Sequence, residues 1–328
     1  MQTLVRGPVM ADVAAFELTD VEKARLMRPE IGGVILFRRN FESVAQLKAL
    51  VAEIKALRTP ELIIAVDHEG GRVQRFIQGF TRLPAMAVLN DVWQTQGKDA
   101  ALAQAEEIGW VLAAELRACG IDLSFTPVLD LDWDQCAVIG NRSFSADAQE
   151  VSDLALALQS GLKRGGMNSC GKHFPGHEQT GADTHFGFVV DNTPRDTLMN
   201  SCLTPFCRAM SEDLASVMVS HVCFPALDDT DTPCSMSAPV IQGVLRGQLG
   251  YQGLVISDGL QMHAILDQYG APQGCVQAAL AGCDLLIIGN GGDNADPTGK
   301  DVQTPCIRTL CDAVADGTLP MARVDESV

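Results

Sequence analysis

The chain has 328 residues, with 24 lysines and arginines against 41 aspartates and glutamates, a net charge of −17 and 47% apolar residues. So large an acidic surplus opposes the phosphates of nucleic acid and anionic lipid, and no local basic tract offsets it. The apolar content supports a large core and excludes a disordered chain, while no uncharged run reaches the ~20 residues of a membrane span.

The N-terminus lacks the charged start and apolar stretch of a secretory signal. Eleven cysteines, odd in number and without a Cys-x-x-Cys pair, lie partly inside apolar runs and read as buried thiols of a reducing compartment. The expected location is the cytoplasm, and the expected state is a monomer.

Short β-rich runs alternate with segments of helical period. The first strand is expected at Val5 to Met10 and the second at Gly32 to Phe37, apolar on both faces as in a parallel sheet covered on each side. Val44, Leu47, Val51, Ile54 and Leu57 share one face of a helix over Val44 to Arg58, and Leu62 to Val66 is strand three. A helix over Lys98 to Cys119, capped by Gly120, leads to a fourth strand over Asp122 to Leu131 with Pro127 inside it.

A helix over Gln149 to Arg164 precedes a fifth strand at Cys170 to Phe174, and a sixth follows at Ser216 to Val222. A helix capped by Ser237 runs through Arg246, strand seven is Gly253 to Ser257 and strand eight is Cys283 to Gly289. A glycine-rich turn and a helix around Cys306 to Ala315 end the pattern. Eight parallel strands with intervening helices predict a single-domain (β/α)8 barrel over residues 1–328, with a doubly wound open sheet as the rival.

In such a barrel, polar residues just beyond each strand converge on one mouth. Strand three ends at Asp67, followed by Arg72 and Arg75; the fourth reaches Asp130 and Asp132, with Asn141 and Arg142 beyond. The fifth supplies Lys172 and His173 and opens the loop to His185; the sixth ends at Ser220 and His221, the seventh at Ser257 and Asp258. Gly171 to His185, reading GKHFPGHEQTGADTH, is the densest stretch of ionisable groups. A pocket of fixed charges with few aromatics suits a polyhydroxylated ligand.

The segments VDHEGGRVQRF, IGNRSFS, GKHFPGH, the pair Asp183 and His185, SHVCFPALD and GLVISDGLQM occur in this order. Together they resemble glycoside hydrolase family 3, and within it the single-domain bacterial β-N-acetylglucosaminidase branch that acts in peptidoglycan recycling. The resemblance implies a retaining mechanism without a cofactor, with Asp258 as nucleophile. His185 takes the place of the acid/base and Asp183 is the carboxylate that orients it. Asp67, Arg75, Arg142, Lys172 and His173 are implied to grip the N-acetylglucosamine of a muropeptide substrate.

Three positions depart from the family pattern: Glu178 stands where glycine usually follows GKHFPGH, Thr184 replaces serine, and Gly259 follows Asp258 where a second aspartate is common. FGFVVDN after His185 is also unusual. A carboxylate at the loop's base is expected to compete with Asp183 for His185 or to repel an anionic aglycone.

Each residue has a plainer reading. Asp258 alone fits a helix N-cap, His185 an ordinary loop histidine and Asp183 a turn former. Arg72 and Arg75 fit solvated charges, Asp130, Asp132 and Asp134 fit structural turn residues, and His221 and His263 fit packing groups. Two other functions stay open. His173, His177, Glu178, Asp183 and His185 resemble the ligand set of a metal-dependent barrel hydrolase. The altered loop fits a catalytically silent sugar-binding barrel.

Overall fold

The computed structural model describes residues 6–181, 183–290 and 301–327. Eight core strands appear in chain order: β1 (Val9–Asp12), β2 (Ile31–Leu36), β3 (Ile63–Val66), β4 (Leu123–Ser124), β5 (Cys170–Phe174), β6 (Ser216–Val219), β7 (Leu254–Ser257) and β8 (Leu286–Ile288). All pair in parallel, as a five-stranded sheet in the order β8-β1-β2-β3-β4 and a three-stranded sheet β5-β6-β7.

Isolated parallel bridges join the two sheets at both edges. Leu123 with Asn168 and Val128 with Lys172 link the β4 and β5 segments, and Ile256 with Leu285 links β7 to the residues entering β8. The Cys170 N–H donates to the Thr126 carbonyl at 2.9 Å, and the Ser257 N–H donates to that of Leu285 at 2.9 Å.

Parallel strands covered on both faces bury alternate side chains in two different layers. One layer takes a side chain from every core strand: Met10, Ile35, Ala65, Leu123, Cys170, Met218, Ile256 and Ile287 pack together with Phe37 and Phe125. The residues between them, such as Val34, Ile64, Val217 and Val255, join a larger layer with the helices. Leu47, Leu50, Val51 and Ile54 of helix Val44–Ala56 belong to that second layer. Among the described residues, no helix is long and apolar enough to cross a membrane.

The observed elements differ from expectation where backbone donors run out. The fourth strand shrinks to two residues; Pro127 beyond it has no N–H to pair, although the Thr126 and Pro127 carbonyls accept from Cys170 and Lys172 of β5 at 2.9 and 3.2 Å. The first strand begins at Val9, and the expected start at Val5 lies outside the described residues. The helix expected behind a Ser237 cap spans Pro239–Gln248 with wide i→i+5 bonds, and the Ser237 hydroxyl accepts the Val240 N–H at 3.2 Å as a cap does. Of the glycine-rich turn after β8, residues 291–300 lie outside the described residues.

Helices Lys98–Ala118 and Ala148–Arg164 cross at a pair of glycines. A Cβ on Gly109 would lie 2.2 Å from the Leu158 carbonyl oxygen, and one on Gly161 would lie 2.0 Å from that of Glu106. A side chain here must push two backbones apart. Gly109→Val is therefore expected to cost about 3 kcal/mol or more, read as a lower urea midpoint.

Candidate active site

The site begins where β3 ends. Asp67 is followed by a hairpin pairing His68–Gly70 with Val73–Gln74, pinned to β4 because the Ser124 hydroxyl accepts from the His68 N–H at 3.1 Å and donates to its carbonyl at 2.9 Å. The turn demands glycine twice. Gly70 and Gly71 have φ of 109° and 56°, and a Cβ on Gly70 would strike the Pro84 carbonyl at 2.4 Å. The hairpin presents Glu69 and Arg75 on either side of this turn.

From β5, the buried Lys172 ammonium lies 2.7 Å from Asp67 and 2.6 Å from Glu69. Arg142 grips both oxygens of Glu69 at 2.8 Å, and Arg75 lies 3.6 Å from Asp67. Cations and anions thus alternate across the floor of the site. Burial pushes the Asp67 and Glu69 carboxyls toward higher pKa, but Lys172 with Arg75 in one case, and Arg142 with Lys172 in the other, holds both below the usual range. Asp67 and Arg75 keep about a fifth of their side chains exposed, 20% and 23%, whereas Lys172 keeps 2%.

His173 is fixed by Asp130, whose carboxylate accepts the His173 N–H at 3.1 Å and lies 2.7 Å from Nδ1. Burial would raise the pKa of Asp130, but His173 brings it down. The Ser143 hydroxyl donates to the Asp130 carbonyl at 2.7 Å, tying the Arg142 segment to the end of β4.

Asp258 stands just past β7, partly exposed, with its N–H donating to the Val219 carbonyl at 3.0 Å. Its Oδ1 accepts the Gly259 N–H at 2.7 Å. Burial acts to raise its pKa, yet the imidazoles of His221, His173 and His185 outweigh burial and bring it to about 2. The carboxylate is ionised at ordinary pH. His221 is buried, which acts to lower its pKa; Nε2 lies 3.0 Å from the Gly259 carbonyl oxygen and Nδ1 2.7 Å from the Ser235 hydroxyl.

The loop from β5 returns over this strand. The Ala264 N–H donates to the Thr184 carbonyl at 3.1 Å, docking the loop just beyond Asp258. Asp183 Oδ1 accepts the His185 N–H at 2.8 Å and lies 2.7 Å from Nδ1, so the second ring nitrogen is the one available for proton exchange. The His185 side chain is 60% exposed, and Phe186 beside it is 81% exposed.

Glu178 does not meet expectation. It is 1% exposed and turned into the protein, where it accepts the Leu131 N–H at 3.3 Å, so it neither competes for His185 nor faces an aglycone. His263 is exposed and pairs with Asp267 at 3.1 Å, not packed as expected. Arg72 is not a solvated charge alone, since it donates to the Ala137 carbonyl at 3.0 Å. The Nδ1 of His177 lies 2.5 Å from the Thr180 hydroxyl and 3.2 Å from Cys136. Among the described residues, no three His, Cys, Asp or Glu side chains are grouped to hold a metal ion.

Sequence reasoning gave no role to Glu69 and left Asp130 structural. Asp130 directly follows an apolar run, the signal that marked Asp67 and Asp258, and Glu69 lies two residues past Asp67.

The model of the glycosyl hydrolase family 3 N-terminal domain matches residues 7–328. The chain belongs to glycoside hydrolase family 3. It is similar to a protein named β-hexosaminidase from Neisseria gonorrhoeae, 55% identical over 291 residues that make up 89% of this chain and 80% of the relative. A Chromobacterium violaceum protein of the same name is 53% identical over 293 residues, 89% of this chain and 81% of the relative.

Among solved structures, NagZ from Neisseria gonorrhoeae superposes with a TM-score of 0.84 at 48% identity, covering 100% of this chain and 97% of that one. A family 3 β-N-acetylglucosaminidase from Paenibacillus gives a TM-score of 0.89 at 34% identity, covering 98% of this chain and 59% of the other. This family 3 protein is a glycoside hydrolase. In it, removing Lys172 strands two carboxylates together, so Lys172→Met is expected to lower stability by about 3–5 kcal/mol, measured by denaturant unfolding.

Proposed function

We propose that this hydrolase is a retaining exo-β-N-acetylglucosaminidase, built as a single (β/α)8 barrel domain over residues 1–328 and working in the cytoplasm. Support for the barrel comes from the bridges at both junctions of the two sheets and from the apolar layer to which every core strand contributes. Its substrate is a peptidoglycan-derived muropeptide with a terminal N-acetylglucosamine. The names of the relatives support the hexosamine, and the NagZ of Neisseria gonorrhoeae was solved with N-trifluoroacetyl-D-glucosamine. The resemblance of the motifs supports the muropeptide.

The observation that carries the reading is an accessible, ionised Asp258 beneath a loop that holds His185 against Asp183. Asp258 attacks the anomeric carbon while the exposed nitrogen of His185 protonates the departing glycosidic oxygen. The same nitrogen, now unprotonated, takes a proton from water, which attacks the glycosyl ester and releases the sugar with net retention. Asp67 and Arg75, the accessible ends of the charge ladder, take the sugar hydroxyls; Lys172, Arg142 and His173 complete the floor beneath them.

With a chromogenic N-acetyl-β-glucosaminide, Asp258→Asn is expected to abolish turnover. His185→Ala is expected to cost about 10²–10⁴-fold in kcat, and less when the leaving group needs no proton. A fluorinated sugar inhibitor is expected to label a peptide containing Asp258, read by mass spectrometry. Activity lost to a chelator points to the metal-dependent reading, and absence of turnover in the wild type points to a silent sugar-binding barrel.

A further inference from the structure

The loop bearing Asp183 and His185 leaves β5 through Pro175 and Gly176, then buries Glu178 at its root. The turn wraps closely around this carboxyl: a Cβ on Gly176 would lie 2.2 Å from Glu178 Oε2. Oε1 accepts the Leu131 N–H at 3.3 Å, and Oε2 is buried without a hydrogen-bond partner among the described residues.

Among the described residues, the charged groups that act on Glu178 are carboxylates. Asp130 faces it from the segment beyond β4, where its carboxylate lies 2.7 Å from His173 Nδ1. Asp191 faces it from the far end of the loop, where its carboxylate accepts the Gln179 N–H at 3.3 Å and the Thr193 N–H at 2.8 Å. The Cys202 thiol contacts it from the helical turn Leu198–Cys202, and the neighbouring His177 is kept neutral by burial. Lys172 and Arg142, the buried cations of the site, are committed to Asp67 and Glu69.

We propose that Glu178 is a positioning residue that works as a neutral carboxylic acid, seating the root of the histidine loop against Leu131 so that the loop is released when Glu178 ionises. A charge added here would sit dry beside Asp130 and Asp191, and exposing Glu178 is the way to relieve it. Burial, with Asp130 adding to it, pushes the Glu178 carboxyl up to about 8. The neutral form therefore holds through neutral pH and is lost just above it. Release lifts His185 away from Asp258, a consequence that rests on the roles proposed above for those two residues.

The sign of the stability effect follows by linkage. A carboxyl raised from an ordinary value near 4.5 to about 8 contributes fully below the lower pKa, and that contribution is lost as pH rises toward the higher one. Glu178→Gln keeps the shape and stays neutral at every pH. The test compares kcat/KM of wild type and Glu178→Gln on a chromogenic N-acetyl-β-glucosaminide between pH 7 and 9, with Tm over pH 5 to 9.

Any ionisation of His185 is common to both proteins and cancels in their ratio. The ratio of variant to wild type is expected to rise about tenfold from pH 7 to 9, and the wild-type Tm is expected to fall with pH more steeply than that of the variant. A ratio and a Tm difference that are both flat with pH overturn the proposal. Where the variant does not fold, hydrogen exchange in wild type decides: residues 177–190 opening faster at pH 9 than at 7, after correction for intrinsic rates, supports release, and unchanged protection overturns it. Full activity in Asp258→Asn or His185→Ala instead overturns the assigned catalytic roles, while the stability and exchange readouts still test Glu178.

Discussion

The site is organised by one electrostatic constraint: Asp67, Lys172, Glu69 and Arg142 lie in line with alternating sign, mostly out of water. None of these charges is tolerable alone at such depth, so each fixes its neighbours. The line crosses three separate chain segments, joining the end of β3, the middle of β5 and the turn that carries Arg142. It holds in one place groups that lie up to 105 residues apart in the chain, from Asp67 to Lys172.

Around this fixed floor the remaining groups differ in how firmly they are held. His173 is locked by Asp130 and His221 by Ser235 and Gly259, and both send their influence to Asp258, which stays ionised because of it. His185 is held differently, by one carboxylate two residues away on a loop that backbone bonds join to Ala264 near its tip and to Cys223 at its far end. A rigid carboxylate beneath a more lightly tethered imidazole is the division that the proposed two-step glycosyl transfer calls for, since the proposed acid/base must serve first the leaving group and then water. The root of that loop is buried around Glu178, the acid on which its seating is proposed to depend.

Much of this was legible in the sequence because strands announce themselves twice, by an apolar run and by the polar residue that ends it. Cys170–Phe174 was placed residue for residue, and Val44–Ala56 and Ala148–Arg164 within two residues at either end, since their apolar spacing allows one face only. The fourth strand was read too long because its apolar pattern continues through Pro127, which has no N–H to keep the ladder regular. Glu69 and Asp130 were passed over because a carboxylate after a strand has a common structural use as well.

Glu178 is the clearest case of what the chain order hides. Its position between the histidines His173 and His177 and the Asp183–His185 pair suggested a charged, accessible group; tertiary packing buries it between Asp130 and Asp191, which face it from other segments, and reverses its expected protonation. The sequence by itself determined the alternation of elements, the family and the set of polar residues at the strand ends, because these depend on local pattern and order. Which carboxylates remain charged, which is neutral and which histidine meets solvent were decided only by the fold, because desolvation and Coulomb terms depend on distances that the linear chain does not contain.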